Sequence, residues 1–533
     1  MAEKEPIDNV ETVTGHASES PETGSLNLPE DDVVVMAQMG IKQQLKRRFN
    51  SISILALSVT LLSSWEAIGS TFGAALYAGG PVALIWGFML TGSGTLALAA
   101  SIAEMASMCP ISGAQYHWTY MFAPPKWKVP ITFVQGWVTV FAWQATITSL
   151  TFVLAAQIQG LVVLNWPTYI FERWHTTLMM WLLLLITYII NVWGIRIIPA
   201  TELFAGICHV LIFLALFVTM LVLGRNASPS FVFTSYINTT GWSNPVVAWF
   251  IGLTPCVWCI IGFDGAIHLS EETIHAAKVI PRIILTTVLL NGTLAWVFLI
   301  VTLFGISDIS AVLATPTGFP IIEVFAQITK SATSATVMEA ALVSIGIAAM
   351  FGTLASVSRL TWAFARDDGL PFSSFFKKVD SRLHVPIPAI TLVAVVIFLL
   401  SFINIASSVA LNAILSLSTI ALYVSYIIPI ACLLSMRLRV STRSAAPGEA
   451  CVKDGEIVFG PFTLGRWGVL INLYAVCYAS LLVPFMALPT SLPLTYQTMN
   501  YAGPVFCAVL VFAGLDYIVR GRFSFVGPRK EVG

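Results

Sequence analysis

Two carboxylates interrupt long apolar runs of the chain. Glu66 lies in Ser63-Ser64-Trp65-Glu66-Ala67-Ile68-Gly69-Ser70-Thr71, which divides the apolar stretch from Ile52 to Ala78. Asp264 ends Trp258-Cys259-Ile260-Ile261-Gly262-Phe263-Asp264, which follows the apolar run from Val246 to Val257. A helix crosses half a bilayer, ~15 Å, in about ten residues, so both stretches fall near the middle of a membrane. Small polar residues and glycine at that depth predict an unwound backbone. Unwound N–H and C=O groups find no partner in lipid and persist only where they line a cavity and bind something. Half-helix N-termini offer N–H donors to an anionic group, whereas C-terminal ends and free carbonyls hold a cation. Together they suit a zwitterion. The candidate substrate-binding residues are Ser64, Trp65, Glu66, Ala67, Gly69 and Ser70 in the first stretch, and Trp258, Ile261, Gly262 and Asp264 in the second. Two roles are open for Glu66: pairing with an amine, with the Gly69 and Ser70 N–H groups taking any carboxylate, or carrying a proton. Trp258 can close over a substrate or face an amine with its ring.

Ionisable groups inside a membrane are costly and point to function. Proton coupling is expected at Glu66, Asp264 and His209; the last lies deep in the apolar run 200–223, and histidine changes charge near neutral pH. Glu104 is expected to meet a structural or gating partner. Glu271 and Glu272 are expected either to pair with Lys278 or Arg282 as an inner gate or to be solvated. Arg366, Asp367 and Asp368 read as a gate or loop-ordering cluster. His268 and His275 are seven residues apart, but no metal is expected.

The elements that must position these groups follow from composition. Of 533 residues, 57% are hydrophobic and 10% charged, against about 25% charged in a soluble domain. Such a chain faces lipid. Its 27 Lys+Arg balance 27 Asp+Glu, which gives no footprint for nucleic acid. Twelve spans are predicted, at 52–78, 81–107, 131–160, 177–197, 200–223, 246–270, 283–305, 335–362, 387–403, 407–435, 467–488 and 501–519. With both termini cytoplasmic, 24 Lys/Arg fall inside and only Arg173, Arg225 and Lys330 outside. Asn226 and Asn238 then form extracellular N-x-[ST] sequons, the glycosylation candidates, while Asn291 matches the pattern inside a span and is set aside. Residues 1–48 read as an acidic, disordered cytoplasmic tail without a secretory signal, 49–435 as a transport core of ten helices, 436–466 as a cytoplasmic loop, 467–519 as two further helices and 520–533 as a cytoplasmic tail. Cys256 and Cys259 lie in an apolar helix with no second ligand pair and read as packing. No Gly-Lys dipeptide exists to build a P-loop, and no H-E-x-x-H occurs. An ATP-driven pump and a membrane enzyme are therefore disfavoured, and a secondary transporter is expected.

Several motifs in order resemble one known group. They are Ser64-Trp65-Glu66-Ala67, Glu104 with Pro110-Ile111-Ser112-Gly113-Ala114-Gln115-Tyr116, Gly262-Phe263-Asp264 with His268, Glu271-Glu272 and Pro281, Ala365-Arg366-Asp367-Asp368-Gly369-Leu370-Pro371, and Ser425-Tyr426-Ile427-Ile428-Pro429. Over about residues 45–520 the chain resembles the amino acid–polyamine–organocation superfamily, in its fungal branch of γ-aminobutyrate, choline and related amine permeases. The resemblance implies an all-α LeuT-type fold, with helices 1–5 and 6–10 as inverted repeats and helices 11 and 12 peripheral. It also implies alternating access, coupling to a proton gradient without a cofactor, and a plasma-membrane location. The substrate class it implies is a small amine or amino acid such as γ-aminobutyrate, with choline, another organic cation or a specialised metabolite as alternatives; a non-transporting amine sensor is the remaining one. Many bacterial relatives carry a lysine on helix 5 in place of a sodium ion; here Phe204 to Val210 contains none, and only His209 is ionisable.

Overall fold

The computed structural model describes residues 36, 42–224, 226–440, 442–444, 452–453, 456–496 and 498–529. Among the described residues, twelve helices are long and apolar enough to cross a membrane. They are α1 Ser51–Thr71, α2 Gly80–Met108, α3 Lys128–Asn165, α4 Arg173–Val192, α5 Ile198–Leu223, α6 Pro245–Glu272, α7 Ala276–Gly305, α8 Ala332–Arg366, α9 Ile387–Ile405, α10 Ser416–Arg437, α11 Gly465–Met486 and α12 Ala502–Ser524.

The ends of these helices are written locally. Asn50 caps α1 by accepting from the Ile52 and Ser53 N–H groups, while Ser53 Oγ accepts from the Asn50 N–H, a reciprocal box that satisfies orphan donors. Proline in the first turn starts α2, α5 and α6, where its missing N–H costs no bond. Buried hydroxyls inside α3 bond back to their own helix, as Thr148 does to Gln144 O at 2.7 Å and Thr151 to Ile147 O at 2.8 Å. These two hydroxyls are thereby not left to lipid. The helix α7 begins seven residues before the expected 283, because Lys278, Pro281 and Arg282 disguise its first turns as a loop.

Partner choice follows a pattern of two repeats. The helices α2 and α7, α3 and α8, and α4 and α9 pack in pairs, each against the helix five later, and the halves of α1 and α6 meet. The packing of α10 on α3 is mirrored by that of α5 on α8. Two five-helix repeats account for these pairings. Outside them, α11 packs on α10 and α2, and α12 on α10 and α3.

The expected cytoplasmic loop 436–466 holds a small sheet of order β1-β3-β2, with β1 Thr442–Ser444 parallel and β2 Val452–Lys453 antiparallel to β3 Glu456–Phe459. Most of the acidic tail lies outside the described residues. Its last part, 42–48, corrects the expectation of disorder: the Arg48 N–H donates to Glu272 O at 2.9 Å and the Gln43 amide to Glu271 O at 2.7 Å. At the other end, the Arg520 guanidinium bonds the carbonyls of Asp368, Gly369 and Leu370. The expected tail from 520 is therefore docked as far as 529. The face carrying these segments is called the basic face below.

Candidate functional site

Both predicted breaks exist, and they differ in build. In α1 a single residue leaves helical geometry: Ser63 has φ 36° and ψ 49°. A left-handed non-glycine residue costs roughly 1–2 kcal/mol. Asn291 of α7 bridges the gap, accepting from the Ser64 N–H at 3.2 Å and donating to Val59 O at 3.3 Å. The Asn291 set aside as a sequon is thus the splint of the α1 break. In α6 the helix stops at Trp258, and the backbone resumes as a tight 3-10 turn over Phe263–Glu272. Gly262 makes the corner at φ 93°, which only glycine adopts without strain.

A cavity of about 70 Å³ lies between the breaks. Of the predicted residues, Glu66, Ala67, Ser70, Trp258, Ile261 and Gly262 line it. Ser64, Trp65, Gly69 and Asp264 do not. Ser64 faces Asn291. Trp65 turns to the far side of α1, with its ring centroid 5.7 Å from that of His209 and 5.2 Å from Phe298. Gly69 lets α1 approach Phe298 of α7. The cavity runs from Ser63 and Gly262 past Gln157 and Leu342, away from the basic face.

The structure brings Glu66 and His209 together. Glu66 Oε1 is 2.7 Å from His209 Nδ1, and His209 is fully buried. Glu66 Oε2 has no hydrogen-bond partner among the described residues. Glu66 is also the one ionisable side chain lining the cavity among the described residues.

Asp264 is placed elsewhere, outside the cavity lining. It is fully buried toward the basic face. Its carboxylate accepts from Gln115 Nε2 at 2.5 Å, Trp143 Nε1 at 3.1 Å and the Tyr426 hydroxyl at 2.5 Å, with His268 Nε2 at 3.3 Å. Four elements are thereby tied to one acid. Trp143 touches both the cavity and Asp264.

The sequence model for amino acid permeases matches residues 49–513. The chain belongs to the amino acid permease family. It is similar to the choline transporter of Saccharomyces cerevisiae, 28% identical over 90% of this chain and 83% of that one. It is 30% identical to the amino-acid permease BAT1 of Arabidopsis thaliana, over 94% of this chain and 96% of that one. With the GABA-specific permease of S. cerevisiae it shares 28% identity over 94% of this chain and 86% of the other. The protein is a multi-pass membrane transporter.

The permease is closed at its basic face by buried ion pairs. Arg366 grips Glu271 with two bonds, at 2.9 and 3.2 Å, and Glu271 also accepts from the Ser112 N–H at 3.2 Å. Arg359 bonds Glu272 at 2.6 Å, and Arg48 stands 3.8 Å from it. The expected partners Lys278 and Arg282 are not used. The reason is distance in sequence: the true partners come from α8 and the N-terminal segment, and folding alone brings them here. Glu104 does meet a partner, Arg437 at 2.8 Å. Just past α8, Asp367 accepts from the Tyr116 hydroxyl at 2.8 Å and the Arg529 N–H at 3.0 Å. Burial pushes the Asp367 carboxyl up to about 6, against the opposing pull of Arg366. Burial and then the Arg366 charge hold His117 well below its ordinary value.

Sequence reasoning missed Gln157, whose amide spans from Ser70 Oγ at 2.8 Å to Glu339 Oε1 at 2.7 Å and so links α1, α3 and α8 beside the cavity. A glutamine among apolar residues of a predicted span was the available signal. Asn226 and Asn238 lie in the segment between α5 and α6; their amides donate to Gly305 O at 3.0 Å and Trp242 O at 2.8 Å.

Proposed function

We propose that the permease carries a small amine or amino acid, of which γ-aminobutyrate is the leading example, in symport with protons. One observation supports this reading above others: among the described residues the cavity between the two breaks is lined by a single carboxylate, Glu66, with one oxygen on His209 and the other unengaged. An ammonium group fits beside that free oxygen. The start of the second half of α1, Ser64–Thr71, presents its dipole and N–H groups to a carboxylate. The shared names of γ-aminobutyrate and choline among the relatives agree with an amine as the common element. Trp143 and Trp258 in the lining favour choline or another organic cation as the second reading, through their ring faces.

The basic face is read as cytoplasmic, with both termini inside, Asn226 and Asn238 glycosylated outside, and the plasma membrane as the location. The state described is then closed inward, its cavity directed outward. Movement of substrate requires the Glu271–Arg366 and Glu272–Arg359 pairs to part. No cofactor and no enzymatic step are proposed. Uptake of radiolabelled γ-aminobutyrate and choline across a pH series tests the reading. The expected result is uptake that rises as external pH falls; uptake of neither compound, or uptake indifferent to the proton gradient, overturns it.

A further inference from the structure

Glu202 is an acid that neither the cavity nor the basic-face pairs use. It lies near the start of α5 and is fully buried. Its Oε2 is 2.5 Å from Thr60 Oγ1 of α1, and its other oxygen faces Gly352 of α8. The helices α1, α5 and α8 all pack on one another here. No cation is bonded to this carboxyl among the described residues: Oε2 meets the Thr60 hydroxyl, and Oε1 has no hydrogen-bond partner. The ionisable groups of the neighbouring elements are turned elsewhere. Glu66 of α1 is on His209 of α5, and Arg359 of α8 is on Glu272. Glu339 of α8 takes the Gln157 amide, and Glu323 of the outer helix Pro320–Thr329 takes Gln327. Lys278 and Arg282 occupy the first turns of α7, on the basic face.

The hydrogen count at Thr60 is informative. Its Oγ1 lies within bonding distance of three oxygens: Ala56 O at 3.0 Å, Leu57 O at 3.1 Å and Glu202 Oε2 at 2.5 Å. A hydroxyl has one hydrogen, and backbone carbonyls only accept. Thr148 and Thr151 spend that hydrogen on a carbonyl of their own helix. When Thr60 does the same, the short contact to Glu202 needs a hydrogen from the carboxyl.

We infer that Glu202 is a proton-carrying site of the permease, protonated while α1, α5 and α8 are packed and ionised when the inner half of α1 leaves them. The step moves one proton: the carboxylate takes it up to become a carboxylic acid and later gives it to water on the basic face. An ionised, unpaired carboxylate buried among three helices costs several kcal/mol. Loss of the proton therefore favours parting of the helices, and gain of the proton favours closure. The two states differ in their contacts with the proton, as coupling requires. The link to the cavity is short, since Ser63, which lines it, donates its hydroxyl to Thr60 O.

This inference rests on the proton-coupled reading of transport, and the test separates the two. Full-length protein in proteoliposomes is given radiolabelled γ-aminobutyrate under a pH gradient of one unit. One-to-one coupling gives about tenfold accumulation. Glu202→Gln keeps the shape and cannot ionise. Its accumulation ratio should fall to near one while exchange persists. Infrared spectra of the same samples should lose the deuterium-sensitive carbonyl band of a protonated carboxylic acid, a band that Glu66→Gln leaves in place. Wild-type accumulation in Glu202→Gln, or an unaltered band, overturns the inference. If exchange is lost as well, Glu202→Asp decides, because it retains an ionisable group: restored accumulation supports the site, and none refutes it. If the wild type accumulates neither γ-aminobutyrate nor choline, the proton-coupled reading fails, and the band still reports whether Glu202 holds a proton.

Discussion

In α1 the helix leaves its path at Ser63 alone and resumes at Ser64; in α6 it stops at Trp258 and does not return to α-helical form, running instead as a 3-10 turn from Phe263 to Glu272. Each break carries an acid, and the acids are treated differently. Glu66 keeps one oxygen unengaged among the described residues beside the cavity, whereas both oxygens of Asp264 are occupied. A buried acid with an open lone pair is ready for a ligand. A saturated one holds structure, because any new partner must displace an old one. Matching position in two repeats therefore does not confer matching role. In this permease the acid of the first break lines the cavity, and the acid of the second ties Gln115, Trp143, His268 and Tyr426 together toward the basic face.

The comparison breaks first at Glu66. Removing one charge from a buried hydrogen-bonded pair costs about 2–5 kcal/mol, roughly thirtyfold to several-thousandfold in affinity. Glu66→Gln should lose binding of γ-aminobutyrate and choline by that amount in a radioligand assay; wild-type affinity would make Glu66 structural. Asp264→Asn should behave in the opposite way. Loss of charge-assisted acceptors lowers stability by about 2 kcal/mol, seen as a reduced Tm in detergent, with slower exchange and little change in affinity. An equal loss of affinity in both variants would erase the distinction between the acids.

Smaller effects sharpen the picture. Gly262→Ala should cost about 1–2 kcal/mol of stability through its positive φ, since the added Cβ itself would stand 3.5 Å from Trp143, an ordinary contact. A Tm equal to wild type would show that the α6 corner relaxes. The smallest effect is expected at Asp367. Its folded carboxyl is raised from 3.8 to about 6 by burial, so the folded state holds this proton more tightly than the unfolded chain. The stabilising contribution is complete below the ordinary value and lost as pH rises through about 6. Asp367→Asn should flatten that part of the Tm profile between pH 4 and 7; an unchanged profile would assign the dependence to another group.

Much of the architecture was legible because it is a local property. Lipid demands about twenty apolar residues per helix and leaves no doubt about the rest. The polar interruptions at Ser63–Thr71 and Trp258–Gly265 are equally local, and both proved to be breaks. The site was legible in part. The residues from Glu66 to Ser70 that face the cavity were found with those that do not, because a sequence run cannot say which side of a half-helix turns inward. Trp65 and Gly69 lie on the side packed against α5 and α7.

By itself the sequence determined twelve spans, two interruptions and a strong asymmetry of Lys and Arg between the two sides. These follow from transfer of each segment into lipid, which depends on its own composition. Only the tertiary structure decided the partners. It set Glu66 on His209, 143 residues away, Glu271 on Arg366 and Asn291 across the gap in α1. Glu202, one of several acids near a helix end in the sequence, became a buried carboxyl beside Thr60. The physical reason is that a charge in lipid must be satisfied by whatever the packing of remote helices brings within about 3 Å, and no local rule names that neighbour.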